Sequence, residues 1–185
     1  MMSNLKSVED NKAKAEAIDW LKHARKVSPT TGVELHIQYV RQLVKKAGCS
    51  LEEIGTSEQE LKQLLLVGYT AEVNKWIKLA RETAGKKGED NIVYFLRHMN
   101  ENVEKAGHDL AYFGISEQEV ASLFKKGNKA QAKSWLRIAK KKGAKHTREE
   151  MERFKIYIRE YVKKAGCTLK DIGTSKKEFA KLFLK

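Results

Sequence analysis

The chain has 185 residues, of which 33% are charged and only one is proline, and it carries a net charge of +13 at pH 7. This composition is typical of an all-helical protein, and no apolar run approaches the roughly 20 residues that a membrane-spanning helix needs. Because the N-terminal residues include no apolar signal core and two cysteines give no disulfide framework, we expect a cytoplasmic protein.

One sequence repeat of 59 residues occurs three times along the chain. Gly48, Gly107 and Gly166 recur at this spacing, and a second glycine follows each of them at positions 55, 114 and 173. Periods of this size are typical of arrays of supersecondary units, and an isolated unit this small is marginally stable. We therefore predict three domains in mutual contact, the repeats 1–68, 69–127 and 128–185.

The first predicted helix of each repeat, helix A, carries a tryptophan: Trp20, Trp76 or Trp135. Apolar residues flank each tryptophan at three- and four-residue spacing, which indicates one buried helix face. The tryptophans are therefore interpreted as core residues. A loop rich in helix breakers follows, at residues 28–32 in the first repeat and 85–88 in the second.

The second predicted helix, helix B, has an apolar stripe at the same spacing and ends at a glycine. In the first repeat the stripe is Val33, Ile37, Val40 and Val44, and the helix ends at Gly48. Lysines in the last turn suit the negative end of the helix dipole, and glycine adopts the left-handed conformation that closes a helix.

The third predicted helix, helix C, begins with a capping box, in which a serine and a glutamate three residues later satisfy each other's backbone N–H groups. The boxes are Ser57 with Glu60, Ser116 with Glu119 and Ser175 with Glu178. Short turns at residues 67–70 and 126–128 are predicted to join the repeats. The expected fold is all-α: a tandem array of three homologous three-helix units with about nine helices, compact or gently superhelical.

The positive charge is concentrated in the third repeat. Residues 1–68 have a net charge of +1 and residues 69–127 a net charge of 0, whereas residues 128–185 hold 18 Lys and Arg against 6 Asp and Glu, a net charge of +12. No acidic residue lies between Ala121 and Arg148. Basicity that served only solubility would not require this asymmetry.

Several of these basic residues recur every four positions, so they follow one side of helix A over about 18 Å. Such a ridge is long enough to contact several consecutive phosphates, and the release of their counterions drives binding. A lysine-rich face is also ordinary solvated surface, and that alternative stays open. The candidate nucleic-acid-binding residues are Lys125, Lys126, Lys129, Lys133, Arg137, Lys140, Lys141, Lys142, Lys145 and Arg148.

No constellation of catalytic or metal-binding residues emerges, so we expect neither an enzyme nor a cofactor nor a metal site. The five histidines form no His-x-x-x-His pair, and no phosphate-binding Gly-Lys loop is present. Cys49 and Cys167 occupy equivalent positions two repeats apart, with His108 between them in the second repeat, whereas zinc ligands pair at short spacing. Tyr69 and Tyr112 lie near predicted turns, where a ring can be exposed, and no role is assigned to them.

Two functions remain. The first is a non-enzymatic nucleic-acid-binding protein, of DNA more than RNA, that contacts phosphates through the third repeat. The ridge contains few arginines, which argues against bidentate guanine recognition. The alternative is a helical-repeat scaffold for protein–protein interaction that binds an acidic partner. The sequence leaves the oligomeric state and the identity of any partner open.

Overall fold

Apolar residues at three- and four-residue spacing place nearly all of the chain in helices. The computed structural model describes residues 2–28, 30, 32–84, 89–142 and 146–184. Within them every regular element is helical, which confirms the all-α prediction. The seven α-helices are α1 (Met2–Val27), α2 (Val33–Ala47), α3 (Glu58–Thr83), α4 (Ile92–Ala106), α5 (Glu117–Lys142), α6 (Arg148–Ala165) and α7 (Lys176–Leu182). Short 3-10 turns lie at Glu52–Ile54, Glu89–Asn91, Ala111–Phe113 and Lys170–Ile172.

The prediction of nine helices is wrong, because the two predicted turns between repeats are helical. Helix C of the first repeat continues into helix A of the second as α3, and α5 joins the second repeat to the third in the same way. Each of these helices has 26 residues.

The glycines at the two joins serve close packing instead of a turn. A Cβ atom on Gly68 would lie 2.3 Å from Val33 Cγ1, at the start of α2. A Cβ atom on Gly127 would lie 3.0 Å from Ile92 Cβ, at the start of α4. Glycine therefore lets the middle of each long helix approach the N-terminus of the helix that packs on it.

The predicted ends of helix B are confirmed. Gly48 and Gly166 have φ angles of 63° and 61°, in the left-handed region that favours glycine. Their N–H groups donate to the carbonyl oxygens of Lys45 (3.3 Å) and Lys163 (3.0 Å) and so close α2 and α6. The predicted loop at 85–88 lies outside the described residues, as do Pro29 and Thr31 of the first loop.

The predicted starts of helix C are also helix starts in the structure. In each repeat the glutamate N–H donates to the serine Oγ, for example Glu178 to Ser175 at 3.1 Å. The Glu178 carboxylate also accepts from the Ser175 N–H (2.8 Å), which completes the capping box of α7. Sequence reasoning missed a second box seven residues earlier, where Ser50 and Glu53, and likewise Thr168 and Asp171, cap the 3-10 turn.

Two compact bodies make up the chain: Met1–Asn74 with Glu101–Asp109, and Lys75–Asn100 with Leu110–Lys185. The first body has a core that includes Leu21, Ile37 and Leu61. The core of the second body includes Leu136 and Ile158. The division into three domains by sequence repeat stays a prediction. None of the described helices combines the length and apolar character that crossing a membrane requires.

Candidate nucleic-acid interface

Most of the predicted binding residues lie on one continuous helix. Lys125 to Lys142 all belong to α5, and Arg148 is the first residue of α6. Because α5 is not interrupted at Gly127, the basic side extends over about 24 Å from Lys125 to Lys141 at the rise of an α-helix. Lys145 lies outside the described residues, and so does the side chain of Lys142.

The four-residue spacing places the basic residues on the exposed side of α5. Ala132, Leu136 and Ala139 are buried at 0%, 3% and 0% exposure and face the core. The basic residues on the exposed side are Lys125, Lys126, Lys133, Arg137, Lys140 and Lys141, while Lys129 is half-buried and Arg148, on α6, is exposed.

Four of these residues border an open groove, which we call the basic groove. Lys133, Arg137, Lys140 and Lys141 line it along α5, and its far wall is the 3-10 turn at Ile172 and Gly173. The groove has a volume of about 410 Å³. Lys140 Nζ donates to the Gly173 carbonyl oxygen at 3.3 Å, so that one lysine bridges the two walls.

In the other two repeats, the residue equivalent to Lys140 is an arginine that joins two helices through an ion pair with a glutamate. We call these two ion pairs braces, and sequence reasoning missed them. Arg25 donates to Glu60 at 2.8 Å and to the Gly55 carbonyl at 2.8 Å. Arg81 donates to Glu119 at 2.6 Å. The spacing of the repeat carried this signal, because an arginine or lysine and a glutamate recur at equivalent positions in all three repeats.

The two braces lower the pKa of the glutamates that take part in them. The hydrogen bond from Arg25 lowers the pKa of Glu60, and the hydrogen bond from Arg81 lowers the pKa of Glu119. The pKa of Glu178 is lowered first by its bonds to the Ser175 backbone and side chain, while the charge of Lys140 contributes less. Lys140 is thus less firmly tied to a carboxylate than its two arginine counterparts.

The third repeat differs from the others chiefly in its missing acidic partners. Lys22 pairs with Asp19 at 3.0 Å in the first repeat. Lys78, the equivalent residue of the second, pairs with Glu82 at 3.9 Å. The residue of the third repeat at this position is Arg137, and the two acidic positions are occupied by Ser134 and Lys141. The cation at this position is therefore paired with a carboxylate in the first two repeats, whereas Arg137 in the third repeat lacks the equivalent carboxylate.

Some of the other basic residues of α5 lie close to a carboxylate, and others do not. Lys126 forms an ion pair with Glu89 at 3.4 Å. The pKa of Asp171 is lowered mainly by hydrogen bonds from Thr168, and the nearby charge of Lys129 adds to the effect. Within the described part of the chain, Lys133, Arg137 and Lys141 have no ion pair to a carboxylate. These three are the free cations of the basic groove.

The tryptophans pack against the cores but are only partly buried, so their interpretation as core residues holds in part. Trp135 lies against Phe154 and Tyr157 of α6, with ring centroids 5.4 and 5.2 Å apart. Sequence reasoning missed that helix B carries a pair of aromatic or histidine residues at these positions in every repeat. The other two pairs are His36 with Tyr39 and Phe95 with His98.

Residues considered for other chemistry are dispersed. In the described ranges, no three His, Cys, Asp or Glu side chains come together as metal ligands would. Cys49 and Cys167 are free thiols and half-buried, and burial raises the pKa of Cys167. Tyr112 is exposed, whereas Tyr69 is half-buried and its pKa is raised by burial.

Comparisons of the chain with models of protein families, with curated proteins and with solved structures found no match. The observations that bear on function are therefore the charge of the basic groove, its exposure and its difference from the equivalent sites in the other two repeats.

Proposed function

We propose that this chain is a non-enzymatic nucleic-acid-binding protein that contacts the phosphate backbone of DNA through the basic groove of its third repeat. One observation supports this proposal above the others. All three repeats carry a cation at the position of Arg137, but in the first two a carboxylate neutralises it and in the third Lys141 and Ser134 replace the carboxylates.

The chemistry of the basic groove fits backbone binding. Lysine is a compact point charge that satisfies a phosphate without fixing its orientation, whereas arginine provides the fork that reads guanine. Arg137 is the single arginine among the four groove cations, so affinity without marked base preference is expected. Each neutralised phosphate releases counterions and makes binding weaker as salt rises.

The arrangement of the whole chain is part of the same proposal. The three homologous repeats follow one another along a chain that works in the cytoplasm, and the third repeat supplies the main phosphate contacts. The basic residues on either side of the basic groove, from Lys125 to Arg148, extend those contacts along the backbone.

The test is fluorescence-anisotropy binding of the full chain to labelled duplex DNA, single-stranded DNA and RNA over a salt series. The groove variant combines Lys133→Gln, Arg137→Gln and Lys141→Gln. A matched control combines Arg153→Gln, Lys163→Gln and Lys177→Gln, three exposed residues of the same repeat that do not line the basic groove. Both variants lower the net charge by three.

We expect the groove variant to flatten the dependence of log affinity on log salt by about 2 to 3 for duplex DNA, because about 0.9 is lost per phosphate contact. The control should lose less than half of that. Equal losses in the two variants would assign binding to total charge and not to the basic groove. Unchanged binding by the groove variant would refute the proposal.

A second candidate is an interaction scaffold with an acidic protein partner. All three repeats expose large apolar side chains on helix B, with Leu35 at 54%, Tyr94 at 53% and Ile156 at 54% exposure. Such surfaces suit protein contact more than phosphate contact. Capture of one specific protein by the chain, unaffected by nuclease treatment and by the groove variant, would favour this candidate.

A further inference from the structure

A second groove, in the first repeat, combines aromatic rings with carboxylates. Trp20 of α1 lines it together with Glu16, Asp19, His23 and His36, and its volume is about 390 Å³. We call it the Trp20 groove. All five residues belong to the first compact body.

The Trp20 ring is held in place by neighbouring rings on α1 and α2. It stacks on Tyr39 with a centroid distance of 4.6 Å and an interplanar angle of 27°. The His36 ring meets it edge-on at 5.2 Å, and His23 lies 6.3 Å away. Trp20 is half-buried, so part of its indole remains open to the groove.

In the second repeat, the tryptophan equivalent to Trp20 is Trp76, and its ring contacts a cation. Lys75 places its ammonium group 4.7 Å from the ring centroid of Trp76. This is the geometry of a cation–π contact, in which the negative face of the ring attracts a positive charge. Trp76 thus has a cation that the chain itself supplies.

The first repeat reverses the charge at this position. The residue equivalent to Lys75 is Asp19, which precedes Trp20 as Lys75 precedes Trp76. Asp19 is paired with Lys22 at 3.0 Å, while Glu16 is exposed and has no ion pair among the described residues. The Trp20 groove therefore holds a partly exposed indole ring and a carboxylate without an ion pair, with an acidic residue where the internal cation would be.

We propose that the Trp20 groove binds an alkylammonium cation of the size of a trimethylammonium group. Such a cation is weakly hydrated, so it gains more from an indole face than it loses in leaving water. The carboxylate of Glu16 adds charge attraction, and the ring of Trp20 provides the contact surface. The ligand is either a free small molecule such as choline or a methylated lysine side chain of a protein.

The proposal is tested by NMR of the three indole N–H groups in the full chain, assigned with Trp→Phe variants. Tetramethylammonium and choline are titrated to about 100 mM, a range suited to the weak affinity of one exposed cation–π contact. The uncharged 3,3-dimethylbutanol, which has the shape of choline, is the control ligand. A peptide with one trimethyllysine distinguishes a protein source from a free small molecule by its higher affinity.

We expect the Trp20 resonance to shift with saturation, while those of Trp76 and Trp135 stay within the shift caused by equal sodium chloride. Glu16→Gln should weaken binding at least threefold. Asp19→Lys, which installs the residue of the second repeat, should abolish it while the circular dichroism and Tm remain those of the parent chain. Both positions are exposed, so neither substitution disturbs the core.

Several results would contradict binding of a cation in the Trp20 groove. No saturating shift at Trp20, or an equal affinity for the uncharged alcohol, would overturn the proposal. So would a similar response of all three tryptophans, because Trp76 already has its own cation. Binding that survives both substitutions would show that the carboxylates play no part and would overturn it as well.

Discussion

Gly68 is the residue whose role differs most from what its type suggests. Alanine in place of a glycine inside a helix normally stabilises the helix by about 1 kcal/mol. Here the added Cβ would lie 2.3 Å from Val33 Cγ1, a distance at which the buried Val33 side chain or one of the two helices must move. We expect Gly68→Ala to lower the free energy of unfolding by about 1 to 3 kcal/mol, the usual range for an overpacked contact. Urea denaturation followed by circular dichroism measures this change.

A second variant identifies Val33 as the cause. A Val33→Ala background removes the 2.3 Å contact and leaves only a tight one of 3.3 Å to Cβ, so Gly68→Ala should cost much less there. The difference between the two backgrounds is the coupling energy of the pair. An equal loss in both backgrounds would mean that Gly68 matters for some reason other than its approach to α2.

The brace between Arg25 and Glu60 makes a small contribution to stability that depends on pH. The hydrogen bond from Arg25 is the main cause of the lowered pKa of Glu60, whose ordinary value is 4.5. A depressed folded-state pKa stabilises the protein above the unfolded value, and this stabilisation is lost as the pH falls through the folded value. Both side chains are more than one-third exposed, so the contribution is below about 1 kcal/mol.

The measurement is the free energy of unfolding of the parent chain and of Glu60→Gln between pH 2 and pH 7. Their difference should be constant above about pH 5, since an unperturbed glutamate is ionised there, and should shrink below it. Arg25→Gln should show the same loss of pH dependence, plus a constant loss from its hydrogen bond to the Gly55 carbonyl, and the double variant should be no worse than Arg25→Gln alone. A difference that does not change with pH would assign the loss to packing.

At the scale of helices, the continuity of α5 can be tested with proline. Lys126 lies inside α5, where proline removes a backbone hydrogen bond and clashes with the preceding turn. We expect Lys126→Pro to destabilise the chain by about 3 kcal/mol or more relative to Lys126→Ala. The alanine control also loses the ion pair with Glu89, so the comparison isolates the backbone. A mild effect of proline would indicate a turn at this position.

Helix ends were predictable from the sequence because their signals are local. Gly48 at the end of α2 and Ser175 before α7 act through backbone groups within four residues, and both were found where expected. Gly68 and Gly127 were misread because a helical glycine and a turn glycine look the same in sequence. What separates them is a side chain on another helix, Val33 or Ile92, more than 30 residues away.

Only one wall of the basic groove was predictable from the sequence, because only that wall has a local signal. The four-residue spacing gave the exposed side of α5, which depends on helix geometry alone. The opposite wall at Ile172 and Gly173 depends on how the chain returns to α5, and no local pattern encodes it. The braces of Arg25 and Arg81 join residues 35 and 38 positions apart, so only comparison of the repeats could have indicated them.

At the scale of the whole molecule, the question is whether the net charge of +13 or its placement controls binding to DNA. Exchanging two residues between repeats separates these possibilities. Lys141→Glu gives the basic groove the carboxylate that the second repeat has at Glu82, four residues after the cation it neutralises. Glu82→Lys restores the total charge without changing the basic groove.

We expect Lys141→Glu to weaken duplex DNA binding about tenfold at ~0.1 M salt, because one phosphate contact is lost and Arg137 gains an internal partner. Adding Glu82→Lys returns the net charge to +13, yet affinity should stay within about threefold of the single variant, since long-range attraction between exposed charges is screened beyond about 10 Å at this salt. Anisotropy titrations of the three proteins measure this directly. Recovery of full affinity in the exchanged variant would show that total charge controls binding, and the third repeat would then be only the place where most of that charge is carried.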